Sequence, residues 1–277
     1  MGVFGKETEL CEAFIETVPK DWQVYPETAG WDMLLVHKVT GYQIGVEAKL
    51  RLNAKVIRQA AEAVVHSRFD AQQGPDFRAV LVPEASGDMM AVCKLVGLTI
   101  ITMRRRDRYV SYHDSQCSKT WQSQPALPKF TKADLKDIRA ADIWLDSASW
   151  HDCAPLQKHN LPEYVPDVAA GASAPQTVGH WKIQAMKVCQ VIEKHTFIHR
   201  SDFKALGISM SLWTSSGWLQ RSDFRGWWVA GHNFPSGRFR AQHQKVWSDI
   251  EADQEKWMAK AKLRVDRPAG LPFDDRS

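Results

Sequence analysis

The stretch that decides the fold is GWDMLLVHKVTGYQIGVEAKLR, residues 30–51. Residues 31–39 and 42–50 are rich in aliphatic, aromatic and β-branched residues, and Gly41 marks a turn between them, so the pattern predicts two antiparallel strands. Three charges interrupt it. Asp32 stands just before an apolar run, and Glu47 and Lys49 sit two apart near the end of the second strand. Lys and Glu are poor strand residues, and a charge in a half-buried strand needs compensation. Side chains repeat every two residues along a strand, so Glu47 and Lys49 share a face, and Asp32 on the neighbouring strand lies near it. Two carboxylates and an amine converging at a sheet edge suit a hard divalent cation with a positioned water. The bland alternative is a turn-capping Asp32 beside an exposed Glu47–Lys49 pair.

Working outward, Leu10, Phe14 and Val18 recur at helical spacing, so residues 6–18 read as an amphipathic helix ended by Pro19. WQVYPET, residues 22–28, adds a strand. Asn53 is a good N-cap for a helix over 53–69. FRAVLVPE (77–84) reads as a buried strand, SGDMMAVCKLVG (86–97) as a short helix, and LTIITMR (98–104) as a last strand before the basic run at 104–108. Beyond residue 111 the pattern loosens, with one helix expected over 131–146. Residues 154–177 carry four prolines and a Gly/Ala/Ser run, the composition of a linker.

After it, helices are expected over 180–195, over 199–207 with Ser201 as cap, and over 209–222. A strand at 227–231 and a Gly/Pro/Asn turn at 231–237 follow, then a long helix over 238–262. Three helices and a hairpin-like element follow the order of a winged helix-turn-helix. Residues 209–222 are then the recognition helix, with Ser211, Thr214 and Ser215 facing DNA and Arg221 and Arg225 on its backbone. Arg238 and Arg240, beyond the proposed wing turn, are further DNA contacts. Trp213, Trp218, Trp227 and Trp228 are assigned to packing.

Composition bounds these readings. Hydrophobic residues make up 44% and charged residues 25% of 277 residues, ordinary values for a globular chain with room for two cores. No apolar run reaches membrane-spanning length, and the acidic start of the chain is unlike a signal peptide, so a cytoplasmic location is expected. Five scattered cysteines with no CxxC pair give no zinc module. His195 and His199 lack the Glu of an HExxH site, and His151, Asp152 and Cys153 read as loop. No GxxxxGK[ST] loop is present, so no nucleotide cofactor is expected. Residues 176–265 hold 14 Lys or Arg against 7 Asp or Glu, while the chain as a whole is +4. That basic third suits a polyanionic partner.

Asp32 followed by Glu47-Ala48-Lys49 resembles the PD-(D/E)XK nuclease signature, with Trp31 in place of the family's leading proline. The expected order of helix, three strands, helix and strand is similar to the family core. Gly5 and Glu9 resemble the GxxxE pattern of archaeal Holliday-junction resolvases, and Gln59 stands where several lineages carry an orienting glutamine. The resemblance covers about residues 5–104. It implies an α/β restriction-endonuclease-like mixed sheet flanked by helices, beside a smaller, mainly helical winged-helix-like domain. The expected organisation is a nuclease core over 1–110, an extension over 111–153, a linker over 154–177, a DNA-binding domain over 178–265 and a tail over 266–277.

The resemblance further implies Mg²⁺- or Mn²⁺-dependent hydrolysis of phosphodiester bonds in DNA. Asp32, Glu47, the Ala48 carbonyl and Glu9 would be ligands, Lys49 and Gln59 would assist catalysis, and Arg51, Lys55 and Arg58 would touch phosphates. Two copies pairing to cut both strands, and a role in phage or mobile-element DNA processing, fit this reading. The alternative is a DNA-binding regulator or recruiting subunit that uses the same fold without cutting.

Overall fold

The computed structural model describes residues 3–65, 73–111, 114–130, 149–172 and 178–264. They form two compact units, one of residues 1–161 and 168–177, the other of residues 162–167 and 178–277.

The first unit is an α/β layer structure. Its elements run α1 (Glu7–Ile15), β1 (Trp22–Thr28), β2 (Trp31–His37), β3 (Gln43–Ala48), α2 (Ala54–Val65), β4 (Phe77–Val82), α3 (Gly87–Leu95), β5 (Thr99–Ser111) and β6 (Asp114–Gln124). The six strands lie in sequence order in one mixed sheet. The β3–β4 and β4–β5 pairs are parallel and the other three antiparallel. Alternation along the central strands divides the core in two. Met33, Leu35, Ile44, Val46 and Leu81 pack with Leu10 and Phe14 of α1. Leu34, Val36, Val80 and Val82 pack with Val56 and Ala60 of α2 and Cys93 of α3. Strands buried on both faces become continuous apolar runs, which is why FRAVLV is buried throughout. Pro26 lies in β1, the edge strand, where its missing N–H breaks no inner ladder.

Asn53 Oδ1 accepts from Val56 N, the expected cap of α2. The expected elements to residue 104 are present, but β5 continues through the basic run to Ser111 and pairs with β6. The sequence reading missed β6 because DSQCSKTWQSQ has no apolar alternation. The helix expected over 131–146 lies outside the described residues, as does the end of that expected over 53–69.

The second unit runs α4 (His180–His195), β7 (Phe197–His199), α5 (Arg200–Ala205), α6 (Ser211–Ser215), β8 (Leu219–Arg221), β9 (Trp227–Ala230), α7 (Ser236–Gln242), α8 (Gln244–Ala252) and α9 (Gln254–Ala261). Its small sheet has the order β7-β9-β8, antiparallel throughout. Trp213 is buried in its core with Trp218 and Trp228 against it, and Trp227 lies edge-on to Phe197, as the packing assignment expected; Trp247, not singled out in the sequence, is buried in the same core.

Several expectations for this unit are corrected. The helix expected over 209–222 stops at Ser215, because Gly217 turns at φ +68° and residues 219–221 pair as strand β8. The hairpin is therefore β8–β9, with its turn at 222–226. The 231–237 turn leads instead into α7, so Arg238 and Arg240 are helical. The long helix over 238–262 is broken twice, at His243 (φ −138°) and Asp253 (φ −95°, ψ 9°). The His243 ring is buried and held by Asp167, 2.9 Å from Nδ1. The cap of α5 is His199, whose Nδ1 accepts from Ser201 N while Asp202 accepts from His199 N.

Residues 154–172, expected as linker, contain no helix or strand but are tied down. Lys158 pairs with Asp76 at 2.9 Å, Gln43 exchanges two hydrogen bonds with the His159 backbone, and Glu163 pairs with Lys187. No helix among the described residues is long and apolar enough to cross a membrane.

Candidate active site

The β2–β3 register aligns Met33 with Val46, so one step further Asp32 lies opposite Glu47. Asp32 Oδ2 accepts from Ala48 N at 2.7 Å, which fixes its carboxylate at the end of β3. The Lys49 backbone continues the parallel ladder by donating to Leu81 O, and its side chain folds back into the gap. There Nζ lies 3.5 Å from Asp32 Oδ2, 3.3 Å from Glu47 Oε1 and 3.1 Å from Glu7 Oε2, and donates to Ala48 O at 2.8 Å. Three carboxylates and a carbonyl thus surround one positive point.

Glu7 is the acidic contribution of α1. Glu9, expected in that place, is exposed and accepts from Gly5 N at 2.8 Å, closing the foot of the helix. The periodicity of α1 explains the exchange. Leu10, Cys11 and Phe14 are buried, and Glu7 precedes them by three, four and seven residues on the same face. Glu9 points elsewhere.

A fourth carboxylate, missed from sequence, completes the cluster. Between the paired positions Pro26–Met33 and Thr28–Trp31, Glu27 stands opposite Asp32. Its φ of +47° is rare for a side-chain-bearing residue. Gly171 N and Ala172 N donate to Glu27 Oε1 at 2.7 and 3.2 Å. Gly171 has φ +73°, and a side chain there would press on Cys11 and Glu7, so this segment lies directly over the foot of α1.

Trp31 precedes Asp32 at the start of β2. Its indole lies over Gly45, where any Cβ would collide with the ring, and its Nε1 meets His159 Nε2 at 3.3 Å.

The charges are unbalanced, with four carboxylates near one ammonium. Burial opposes the charge on Lys49, yet Asp32, Glu7 and Glu47 outweigh it and hold its pKa above the ordinary lysine value. Burial and the charge of Asp32 raise Glu47 despite Lys49. Burial and Asp32 also raise Glu27, against the two amides. Beneath them the Cys11 thiol is pushed up by burial and by Asp32, Glu27 and Glu7, so it is a neutral part of the core.

All donors facing Nζ are oxygens, the chemistry of a hard cation. The fit is one of composition rather than of spacing. Among the described residues no group of three or more His, Cys, Asp or Glu is set to hold a metal ion. Mg²⁺–oxygen contacts of about 2.0–2.1 Å require the carboxylates to close inward by about 1 Å once Nζ moves out.

Of the other expected residues, Gln59, Arg51, Lys55 and Arg58 are exposed. A cavity of about 1400 Å³ between α3, β5 and residues 122–128 includes none of the clustered acids.

In the second unit the α6 hydroxyls are engaged locally. Thr214 Oγ1 donates to Ser211 O, Ser215 Oγ to Leu212 O, and Ser211 Oγ meets Ser209 Oγ. Arg238 lies over Trp218, and Arg240 over Trp247 with an ion pair to Glu193 at 2.8 Å. Arg221 and Arg225 are exposed and border a groove of about 980 Å³ between α5, residues 207–210 and the β8–β9 hairpin. Arg200 and Lys204, which sequence reasoning missed, line the same groove, with Asp223 its one carboxylate. Their signal was available, since both lie on α5 at i, i+4 spacing.

Comparison with protein-family models, curated proteins and solved structures finds no match for this chain.

Proposed function

We propose that the first unit is a metal-dependent nuclease of the PD-(D/E)XK kind that hydrolyses phosphodiester bonds in DNA. The observation that carries this reading is the convergence of Asp32, Glu47, Glu7 and the Ala48 carbonyl on one cationic point at the end of β3. The restriction-endonuclease-like core is supported by its helix on one face and two on the other of a mixed sheet.

Asp32, Glu47, Ala48 O and Glu7 would hold Mg²⁺ or Mn²⁺. When bound, such an ion lowers the pKa of a coordinated water and neutralises charge on the phosphate. Asp32 is oriented by the Ala48 amide. Lys49 stays protonated in its acidic surroundings, so it serves as a charge donor to a phosphate oxygen or a water, not as a base. Glu27 adds negative charge behind Asp32.

The second unit supplies the anchor. Its order of helix, strand, two helices and two strands, with the last strand central, is that of a winged helix, and its groove carries Arg200, Lys204, Arg221 and Arg225. Phosphates are its natural partners. The rival reading, a regulator that binds without cutting, draws on the spacing of the carboxylates around an ammonium rather than an ion.

Incubation of the full chain with supercoiled plasmid and with linear and branched DNAs, in Mg²⁺, Mn²⁺ or EDTA, decides between them. Metal-dependent nicking that is lost in Lys49→Ala supports the nuclease. DNA binding with no cleavage under any condition supports the regulator.

A further inference from the structure

Another charge interrupts an otherwise apolar strand, β4. Arg78, in FRAVLV, is 6% exposed, and its backbone is paired with Gly45 on β3. Among the described residues its guanidinium makes no hydrogen bond and no ion pair, and Nε is buried without a partner. A buried charge is strongly disfavoured unless it is paired, and a buried unsatisfied donor calls for a counter-group.

Neither neighbouring acid bonds the guanidinium. Asp76 accepts from Gln43 N at 2.7 Å and pairs with Lys158, and Asp152 Oδ1 accepts from Ala154 N at 2.8 Å. The Cys153 thiol is raised by burial and stays neutral. His159 is lowered by burial and then by Arg78, which favours its neutral form, so it supplies no counter-charge to the guanidinium.

Beside Arg78 lies a cavity of about 160 Å³, lined also by Gln73, Gly74, Gly97, His151, Cys153 and the one carboxylate of Asp152. The His151 ring rests on Gly97, where φ is +70° and a Cβ would strike the ring, so this wall admits only glycine. The cavity holds the share of about five waters at about 30 Å³ each. A tetrahedral oxyanion and a few waters fit it, whereas a whole nucleotide does not.

We propose that this cavity binds a small phosphate-type oxyanion, with the Arg78 guanidinium as its counter-charge. The bound group is either inorganic phosphate or the terminal phosphate of a nucleic-acid strand, since both present the same oxygens. Arg is suited to this because its planar fork meets two of them at once. The site is separate from the carboxylate cluster, and its occupation does not depend on the nuclease reading.

Two readouts on the full chain test it. In the first, thermal denaturation is followed in sodium phosphate against sodium chloride of equal ionic strength, for wild type and Arg78→Met. At phosphate about ten times its Kd, wild type is expected to gain about 3–5 °C and the variant nothing. In the second, alkylation of Cys153 by iodoacetamide is mapped by mass spectrometry on wild type, with phosphate or with short oligonucleotides bearing a 5′-phosphate or a 5′-hydroxyl. Phosphate is expected to slow Cys153 at least fivefold. Protection by the 5′-phosphorylated strand at lower concentration than by inorganic phosphate identifies a strand end, and protection by phosphate alone identifies the free ion. An equal Tm gain in both proteins, or an unchanged Cys153 rate with every anion, overturns the proposal. Should Arg78→Met not fold, the wild-type alkylation rates decide alone.

Discussion

Lys49 and Lys187 are both drawn out of water, and their surroundings differ in one respect. Lys187, 4% exposed on α4, meets the single carboxylate of Glu163 at 2.6 and 2.8 Å and lies near the rings of Tyr164 and Trp257. One ammonium, one carboxylate and two aromatic faces make a balanced set. Lys49 instead faces three carboxylates directly, with Glu27 behind them. A balanced pair answers the cost of its own burial. A surplus of negative charge remains unanswered until a proton or a second cation joins it. Lys187 is accounted for by the fold, whereas the surplus around Lys49 is what the proposed site would use.

The sharpest way to break this comparison is to neutralise each set in turn. Glu47→Gln and Lys49→Ala are expected to lower metal-dependent plasmid cleavage by about 10²–10³-fold, the scale for losing one group that stabilises developing charge. By contrast, Lys187→Met is expected to destabilise the second unit by about 1–3 kcal/mol in denaturant titration. That is below the figure for a fully buried pair, because Glu163 keeps much of its exposure.

Next in size is the exchange on α1. Glu7→Gln should cut activity by about tenfold and weaken Mn²⁺ binding, while Glu9→Gln, lost only from the Gly5 turn, should change cleavage by less than twofold. Equal losses in the two variants would return the metal role to Glu9.

A smaller effect follows from protonation. Burial and Asp32 raise the pKa of Glu47 above 4.5, so the folded chain holds that proton more tightly than the unfolded one. The resulting stabilisation is complete below the unfolded value and is lost as pH rises through the folded one. Thermal denaturation from pH 4 to 7 should therefore show Glu47→Gln gaining on wild type as pH increases. Cleavage by wild type should fall as pH is lowered through a midpoint above 4.5.

Much of the first unit was legible because charge in a strand is conspicuous. Asp32, Glu47 and Lys49 interrupt apolar runs, and the two-residue repeat of a strand already places the last two together. Glu7 was legible in principle. The buried stripe of Leu10, Cys11 and Phe14 contains its position, whereas the GxxxE spacing directs attention to Glu9. Glu27 was not, since it arrives through the β1–β2 register and is held by amides about 145 residues away in the chain. Strand β6 escaped notice because a polar strand carries no periodic signal. The breaks at His243 and Asp253 lie in sequence that favours helix throughout, and the first depends on a contact with Asp167 that no local pattern contains.

Calorimetric titration of Mn²⁺ into wild type and Asp32→Asn tests the surplus-charge account most directly. The account predicts saturable binding to wild type, at a stoichiometry near one or two, that weakens by at least tenfold in the variant. Absence of binding to wild type, or equal binding to both proteins, would contradict it.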